Sequence, residues 1–285
     1  MAKDQQNQTY TQIITPHRSF FSFPWREVLA YKDLLFLFVR RDFVAFYKQT
    51  ILGPLWFFIQ PILTTVIFTI IFGRVAQIST DGVPDILFYL AGVTAWNYFA
   101  GCWTETSDIF RKNKEIFNKV YFPRVIMPLS VIITNLFRFG IQFVLFIGVW
   151  IYFLWTGHDL QPNFTILLLP VLVLMMAMLS LALGMLISAL TVKYRDLYFL
   201  IQFGVQLTMY ATPVVYPLSI ISPERQWILV LNPMTSIIET FRYAFLGSGT
   251  LEPWHLIYSF VSISVILLFG LLVFNKTEKG FVDIV

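Results

Sequence analysis

Charged residues are scarce in this sequence. They make up 13% of its 285 residues, whereas soluble globular domains carry about 25%. Hydrophobic residues account for 57%. So few charges could not cover the surface of a water-soluble domain of this size, and the composition therefore predicts an integral membrane protein. The net charge of +4 is modest, and the basic residues lie between apolar runs, so we expect no nucleic-acid binding.

Residues that could carry out chemistry are also few. One cysteine, Cys102, excludes a disulfide within the chain, and the three histidines are too far apart in sequence to form a metal-ligand motif. The nucleotide-binding pattern GxxxxGK(S/T), the nucleophile pattern GxSxG and the zinc pattern HExxH do not occur. We therefore predict that the chain is not an enzyme and binds no metal or cofactor, and that another subunit or an ion gradient supplies energy for any work it does.

Long apolar runs predict six transmembrane helices, since about 20 mostly apolar residues cross the hydrocarbon of a bilayer. The predicted spans are residues 51–73, 86–104, 127–156, 165–192, 197–216 and 255–275. Prolines and charges divide segment 217–250 into runs too short to span, which predicts re-entrant or interfacial helices. The predicted fold class is therefore all-α, with residues 25–285 as one transmembrane domain and residues 1–24 as an N-terminal tail.

The positions of lysine and arginine predict the orientation. Seven precede the first span, five lie in the connector 105–124, two follow the fourth span and two lie in the C-terminal tail, so that sixteen of twenty fall on one side. Cytoplasmic loops are enriched in basic residues. We therefore expect this side, with both termini, to be cytoplasmic.

Two cytoplasmic segments have a mixed composition. Segment 25–49 places Val28, Leu35 and Phe38 opposite charged residues at helical spacing, which predicts an amphipathic helix in the membrane interface, either as an anchor alone or as part of a docking site. Its assigned interface residues are Arg40, Arg41, Asp42, Tyr47 and Lys48. The connector 105–124 contains apolar residues that a solvated loop does not need, which predicts a short helix that docks on a cytoplasmic partner. The residues assigned to that docking helix are Ile109, Phe110, Lys114, Ile116 and Phe117.

Polar residues inside the predicted spans leave alternatives open. Gln202, Gln206 and Tyr210 recur at four-residue steps, and either form interhelical hydrogen bonds or line a pathway suited to sugars. Arg138 lies inside the third span, where it either reaches the cytoplasmic interface, faces a polar pore or pairs with an acidic residue. Gly184, with a serine four residues away on either side, predicts close packing between helices.

Several stretches together resemble one known family, the type-2 ABC exporter permeases of the polysaccharide class, which export O-antigen, capsule and teichoic acid. In chain order these stretches are Arg41-Asp42-Phe43, residues 47–56 with Gln60-Pro61, residues 119–124 with Pro128-Leu129, Tyr194-Arg195-Asp196 with Pro213 and Tyr216-Pro217, Asn232-Pro233-Met234 with Glu239 and Arg242, and Phe281-Val282-Asp283. The resemblance covers about residues 20–285.

The resemblance implies a homodimeric channel in the bacterial inner membrane, with two ABC ATP-binding subunits docked below it. These partners would bind ATP and magnesium, and the channel would move a lipid-linked or free surface polysaccharide. The resemblance places the first and fifth spans near the pathway, with Trp56, Gln60, Gln202, Gln206 and Tyr210 as lining residues. It assigns Asn232, Pro233, Glu239 and Arg242 to a gate on the outer side.

Three other functions remain as hypotheses. An exporter of drugs or lipids would share the architecture but have a more apolar cavity. A membrane-embedded glycan or acyl transferase would need an acid or base near the interface, for which Asp85 and His158 are the outer-loop candidates. An ion-coupled transporter would normally carry acidic residues in mid-span and a repeated half, and the sequence shows neither.

Overall fold

A computed structural model describes residues 25–48, 51–120, 122–192, 194 and 196–284, and these residues contain helices and turns without strands. The predicted N-terminal tail 1–24, Gln49 and the side chain of Tyr47 lie outside the described part. The helices are α1 (Trp25–Ala30), α2 (Lys32–Lys48), α3 (Trp56–Phe68), α4 (Asp85–Ser107), α5 (Ile109–Lys112), α6 (Lys114–Lys119), α7 (Ile126–Trp155), α8 (Leu169–Thr191), α9 (Leu197–Tyr210), α10 (Pro223–Val230), α11 (Pro233–Leu246) and α12 (Pro253–Ile284).

Four helical segments of the described chain are long and apolar enough to cross a membrane. They are Gly53–Val75, Ile126–Trp155, Phe164–Thr191 and Pro253–Thr277, and they coincide with the first, third, fourth and sixth predicted spans. The first consists of a 3₁₀ turn, α3 and a π-helical end at Thr69–Val75. The other two predicted spans need separate explanations.

α4 has the length of a span but not the uniformly apolar composition. Its 23 residues include polar side chains such as Thr94 and Asn97, and most of the helix is buried inside the described chain. It packs against α3, α7, α8, α9 and α11. A helix surrounded by other helices does not need a lipid-facing surface, so hydropathy identifies it poorly.

α9 is shorter than the predicted fifth span, because it ends at Tyr210 rather than at residue 216. Its 14 residues extend about 21 Å, less than the 30 Å or so of bilayer hydrocarbon. Pro213 accounts for the early end, since proline has no backbone N–H and disfavours helical geometry at Thr212 before it. The crossing of six helices therefore stays a prediction.

Two glycines allow neighbouring helices to approach closely. A Cβ atom added to Gly184 of α8 would lie 2.5 Å from the Cβ of Thr106 in α4, and one added to Gly270 of α12 would lie 2.7 Å from the carbonyl oxygen of Ala182. The neighbouring stripe residues Ser180 and Ser188 are buried. The close packing predicted from this stripe is therefore confirmed.

The predicted amphipathic segment forms two helices, because a turn at Tyr31 separates α1 from α2. Leu35 and Phe38 are buried against the start of α7, in a cluster that includes Met127. The chain then turns into α3 at Gly53, whose φ of +51° is a left-handed conformation that glycine adopts without strain. α2 thus packs on its own chain through one face and leaves its charged face exposed.

Candidate functional site

α9 carries the polar stripe that the sequence predicts. Gln202, Gln206 and Tyr210 are exposed, whereas Ile201 on the other side of the helix is buried. The Nε2 of Gln202 donates a hydrogen bond to the hydroxyl of Tyr198 at 2.9 Å. An exposed row of amide and phenol groups can both donate hydrogen bonds to hydroxyl groups and accept them.

α3 exposes the other two residues that the resemblance assigned to a pathway. Trp56 is 42% exposed, and Gln60 is exposed one turn further on. α3 and α9 each pack against α4. Trp56 and Gln60 of α3 and the polar stripe of α9 are therefore accessible, either to a solute or to a second protein chain.

The start of α11 is tied to the end of α9 by Asn232. The Oδ1 of Asn232 accepts a hydrogen bond from the backbone N–H of Met234 at 3.1 Å, and its Nδ2 donates to the Thr212 hydroxyl at 2.8 Å. Pro233 follows at the first helical position, where its missing N–H costs no helical hydrogen bond. The Asn-Pro pair therefore both begins α11 and attaches it to the neighbouring helix.

Arg242 makes a second attachment between these helices, in the interior of the protein. It is 1% exposed, and its Nη1 and Nη2 donate hydrogen bonds of 2.6 Å each to the carbonyl oxygens of Pro213 and Val214. Its Cζ lies 3.6 Å from the centre of the Phe88 ring in α4, and its Nη1 lies 3.6 Å from the Glu239 carboxylate. The two charged residues assigned to the gate are thus brought together, and the attachment of Arg242 to carbonyls after α9 was not apparent from sequence.

The docking residues predicted in connector 105–124 are placed differently from one another. Ile109 and Phe110 are 1% and 3% exposed, because they pack into clusters formed by this chain. The ring of Phe110 stacks on that of Phe274 with 5.1 Å between centroids. Ile116 and Phe117 are half-buried. The apolar residues that indicated a partner groove therefore serve largely the chain's own core, and a partner could reach mainly the polar side.

That polar side includes Lys114, the remaining predicted docking residue, and Glu115, both of which are exposed. The preceding turn contains an ion pair in which Nε and Nη2 of Arg111 donate to the buried Asp108 carboxylate at 2.5 and 2.7 Å. These hydrogen bonds raise the pKa of Arg111 above its ordinary value. The surface around α5 and α6 is therefore charged, and its arginine is held in one orientation.

Arg138 pairs with an acidic residue, which was one of the three predicted alternatives. Its Nη1 donates to Glu105 of α4 and, at 3.1 Å, to the Oδ1 of Asn135. Asn135 donates in turn to the second carboxylate oxygen of Glu105 at 3.0 Å. A single acidic residue at the end of the second span and a single basic residue inside the third were the signal in the sequence that could have identified this pair.

The residues assigned to the interface helix lie on α2. Arg40, Arg41 and Lys48 are exposed, and Arg41 donates to Asp42 at 2.8 Å and to Asn113 of the connector at 3.3 Å. α2 therefore contacts the segment around α5 and α6. Among the described residues, no group of three or more His, Cys, Asp or Glu residues could hold a metal ion.

Comparison with known proteins identifies the family. The family described as ABC-2 type transporter matches residues 33–246. The chain is 29% identical over 254 residues to the O-antigen export system permease protein RfbA of Klebsiella pneumoniae, covering 88% of this chain and 95% of that protein. It is 30% identical over 249 residues to the RfbA protein of Myxococcus xanthus, covering 86% of this chain and 92% of that protein.

A more distant relative is named for the export of another polymer. The chain is 22% identical over 267 residues to the capsule polysaccharide export inner-membrane protein CtrC of Neisseria meningitidis, with coverage of 89% and 94%. The family match extends over well more than half of the chain and confirms the resemblance in the sequence. This chain is a multi-pass membrane protein that belongs to the ABC-2 type transporter family.

Proposed function

We propose that the chain is the permease subunit of an ATP-driven exporter that moves a surface polysaccharide, lipid-linked or free, across the cytoplasmic membrane. The observation that carries this proposal is the similarity to O-antigen export permeases over nearly the whole chain. The capsule export protein supports the same substrate class. Amide and phenol groups exposed on α9 are suited to sugar hydroxyls, and exposed aromatic rings such as Trp56 are suited to the apolar faces of sugars.

The assembly we propose contains two copies of this chain and two ATP-binding subunits. All six predicted helices cross the membrane. Both termini are cytoplasmic, because the basic residues concentrate on the side of the membrane where the termini lie. A second copy would enclose the pathway between the polar stripe of α9 and the exposed Trp56 and Gln60 of α3. ATP and magnesium bind to the partner subunits, and α10 and α11 form the outer gate.

Reconstitution in vesicles tests the transport function. The chain and its ATPase subunit, incorporated together, should move a lipid-linked glycan across the bilayer only when ATP is hydrolysed. The chain alone should hydrolyse no ATP, and a complex with a hydrolysis-deficient ATPase should move no glycan. ATP-dependent movement of phospholipid or of an amphipathic drug, without movement of glycan, would contradict the proposal and favour the other exporter class.

Charge reversal tests the docking surface and the orientation together. Lys114→Glu should lower the amount of ATPase subunit that co-purifies, because it changes the charge on the exposed side of α6. The matched control is Arg74→Glu, since Arg74 is also exposed but lies on the predicted outer side. Equal losses in both variants, or a loss only in the Arg74 variant, would refute this placement of the partner.

A further inference from the structure

The side chain of Arg111 joins the segment that we propose to dock the ATPase to the start of α9. The Cζ of Arg111 in α5 lies 4.2 Å from the ring centre of Tyr198, in the first turn of α9. A guanidinium at this distance over an aromatic face is an attractive cation–π contact. The contact joins two elements that are 87 positions apart in sequence, and sequence periodicity gives no indication of it.

Both ends of this contact are held by hydrogen bonds. On one side, Asp108 is 3% exposed and accepts two hydrogen bonds from the guanidinium of Arg111, which fixes its orientation. On the other side, the Tyr198 hydroxyl accepts a hydrogen bond from Gln202, the first residue of the polar stripe. Direct contacts therefore run from the end of α4, through α5, to the face that we propose to line the pathway.

Arg111 is exposed, but its partner Asp108 is buried. Their side chains are 59% and 3% exposed, so replacing Arg111 leaves a buried carboxylate with Lys112, 3.9 Å away, as a remaining basic neighbour. We therefore expect the Arg111→Ala variant to fold with a lowered melting temperature. A displacement of α5 by a partner would change the position of the Arg111 guanidinium against Tyr198.

We propose that Arg111 and Tyr198 are positioning residues that transmit movement of the docking segment to the polar face of α9. This inference rests on the proposed function. ATP-driven movement of the partner displaces α5, Arg111 moves with it, and the ring of Tyr198 carries the displacement to Gln202. Two-site coupling of this kind typically corresponds to about 1–3 kcal/mol, or about 5- to 150-fold in the coupled quantity.

The test measures glycan transported per ATP hydrolysed by the complete exporter in vesicles. Arg111→Ala should lower this ratio by about fivefold or more, with ATPase co-purification unchanged. Lys112→Ala is the matched control, because Lys112 is similarly exposed and lies 3.9 Å from the same Asp108 carboxylate. Its ratio should stay near that of the unsubstituted exporter. Equal ratios in the Arg111 and Lys112 variants would overturn the proposal.

Two substitutions of Tyr198 provide independent tests. Tyr198→Phe keeps the ring under Arg111 but removes the hydroxyl that accepts from Gln202, so it should lower the ratio while leaving assembly unchanged. In the double variant Arg111→Ala with Tyr198→Leu, the ratio should fall no further than in the worse single variant. Multiplying losses would show that the residues act separately and would refute the coupling. An unsubstituted complex that hydrolyses ATP but moves no glycan would instead refute the proposed function.

Discussion

Replacing Arg242 with methionine should destabilise the attachment of α11 to the end of α9. Methionine retains most of the length that packs over Phe88, but it removes the two hydrogen bonds to the carbonyl oxygens of Pro213 and Val214. It also removes the cation beside Glu239, which leaves the buried Glu239 carboxylate without that partner. The perturbation therefore combines two unsatisfied carbonyls with an unpaired carboxylate.

The expected cost is large for a single substitution. Removing one partner of a buried ion pair typically costs about 3–5 kcal/mol, and we expect Arg242→Met to fall in this range. Glu239→Gln should cost less, about 1–2 kcal/mol, because Arg242 keeps both carbonyl partners and the Phe88 ring. Two contacts of the carboxylate are also long, with Arg242 at 3.6 Å and the N–H of Thr250 at 3.4 Å.

The assay is equilibrium unfolding in mixed micelles, followed by circular dichroism as the fraction of denaturing detergent rises. Arg242→Met should unfold at a clearly lower fraction than the unsubstituted chain, and Glu239→Gln at an intermediate one. The double variant should be more stable than Arg242→Met alone, because no buried charge is then unpaired. The reasoning would be refuted if Glu239→Gln were as damaging as Arg242→Met, or if neither substitution changed the unfolding transition.

Two further predictions concern the packing of α4. Glu105→Ala should cost about 1–3 kcal/mol, because Arg138 loses its carboxylate partner, and adding Arg138→Leu should restore part of that loss in the same unfolding assay. Failure of the second substitution to restore stability would contradict the pairing. Gly184→Ala should cost about 1–3 kcal/mol through its clash with Thr106, whereas Gly148→Ala, which meets no atom within 4 Å, should leave thermal stability nearly unchanged. Similar melting temperatures for the two glycine variants would show that α4 and α8 can separate at little cost.

Local patterns were sufficient for part of the fold. Four of the six predicted spans coincide with long apolar helices, because hydropathy is a property of consecutive residues. The stripe on α9 and the small-residue contact at Gly184 follow from helical spacing alone. α4 shows where this approach weakens, since its polar residues face other helices and its composition no longer resembles that of a lipid-facing span.

Residues of the candidate sites were harder to interpret. Ile109 and Phe110 were predicted to contact a partner, but both pack inside this chain. A short apolar stretch next to charges looks the same whether it covers the chain's own helices or another protein, because burial depends on what lies opposite in space. A partner could reach the exposed Lys114 more readily than the apolar docking residues, which are buried or half-buried.

The sequence by itself determined that this chain lies in a membrane, which segments are apolar enough to span it, and which family it resembles, because composition and spacing carry that information locally. The tertiary structure alone decided that Arg138 pairs with Glu105, that Arg242 holds the carbonyls after α9, and that Arg111 covers Tyr198. These contacts join residues from 28 to 87 positions apart. Only the packing of helices around α4 brings such residues within reach of one another.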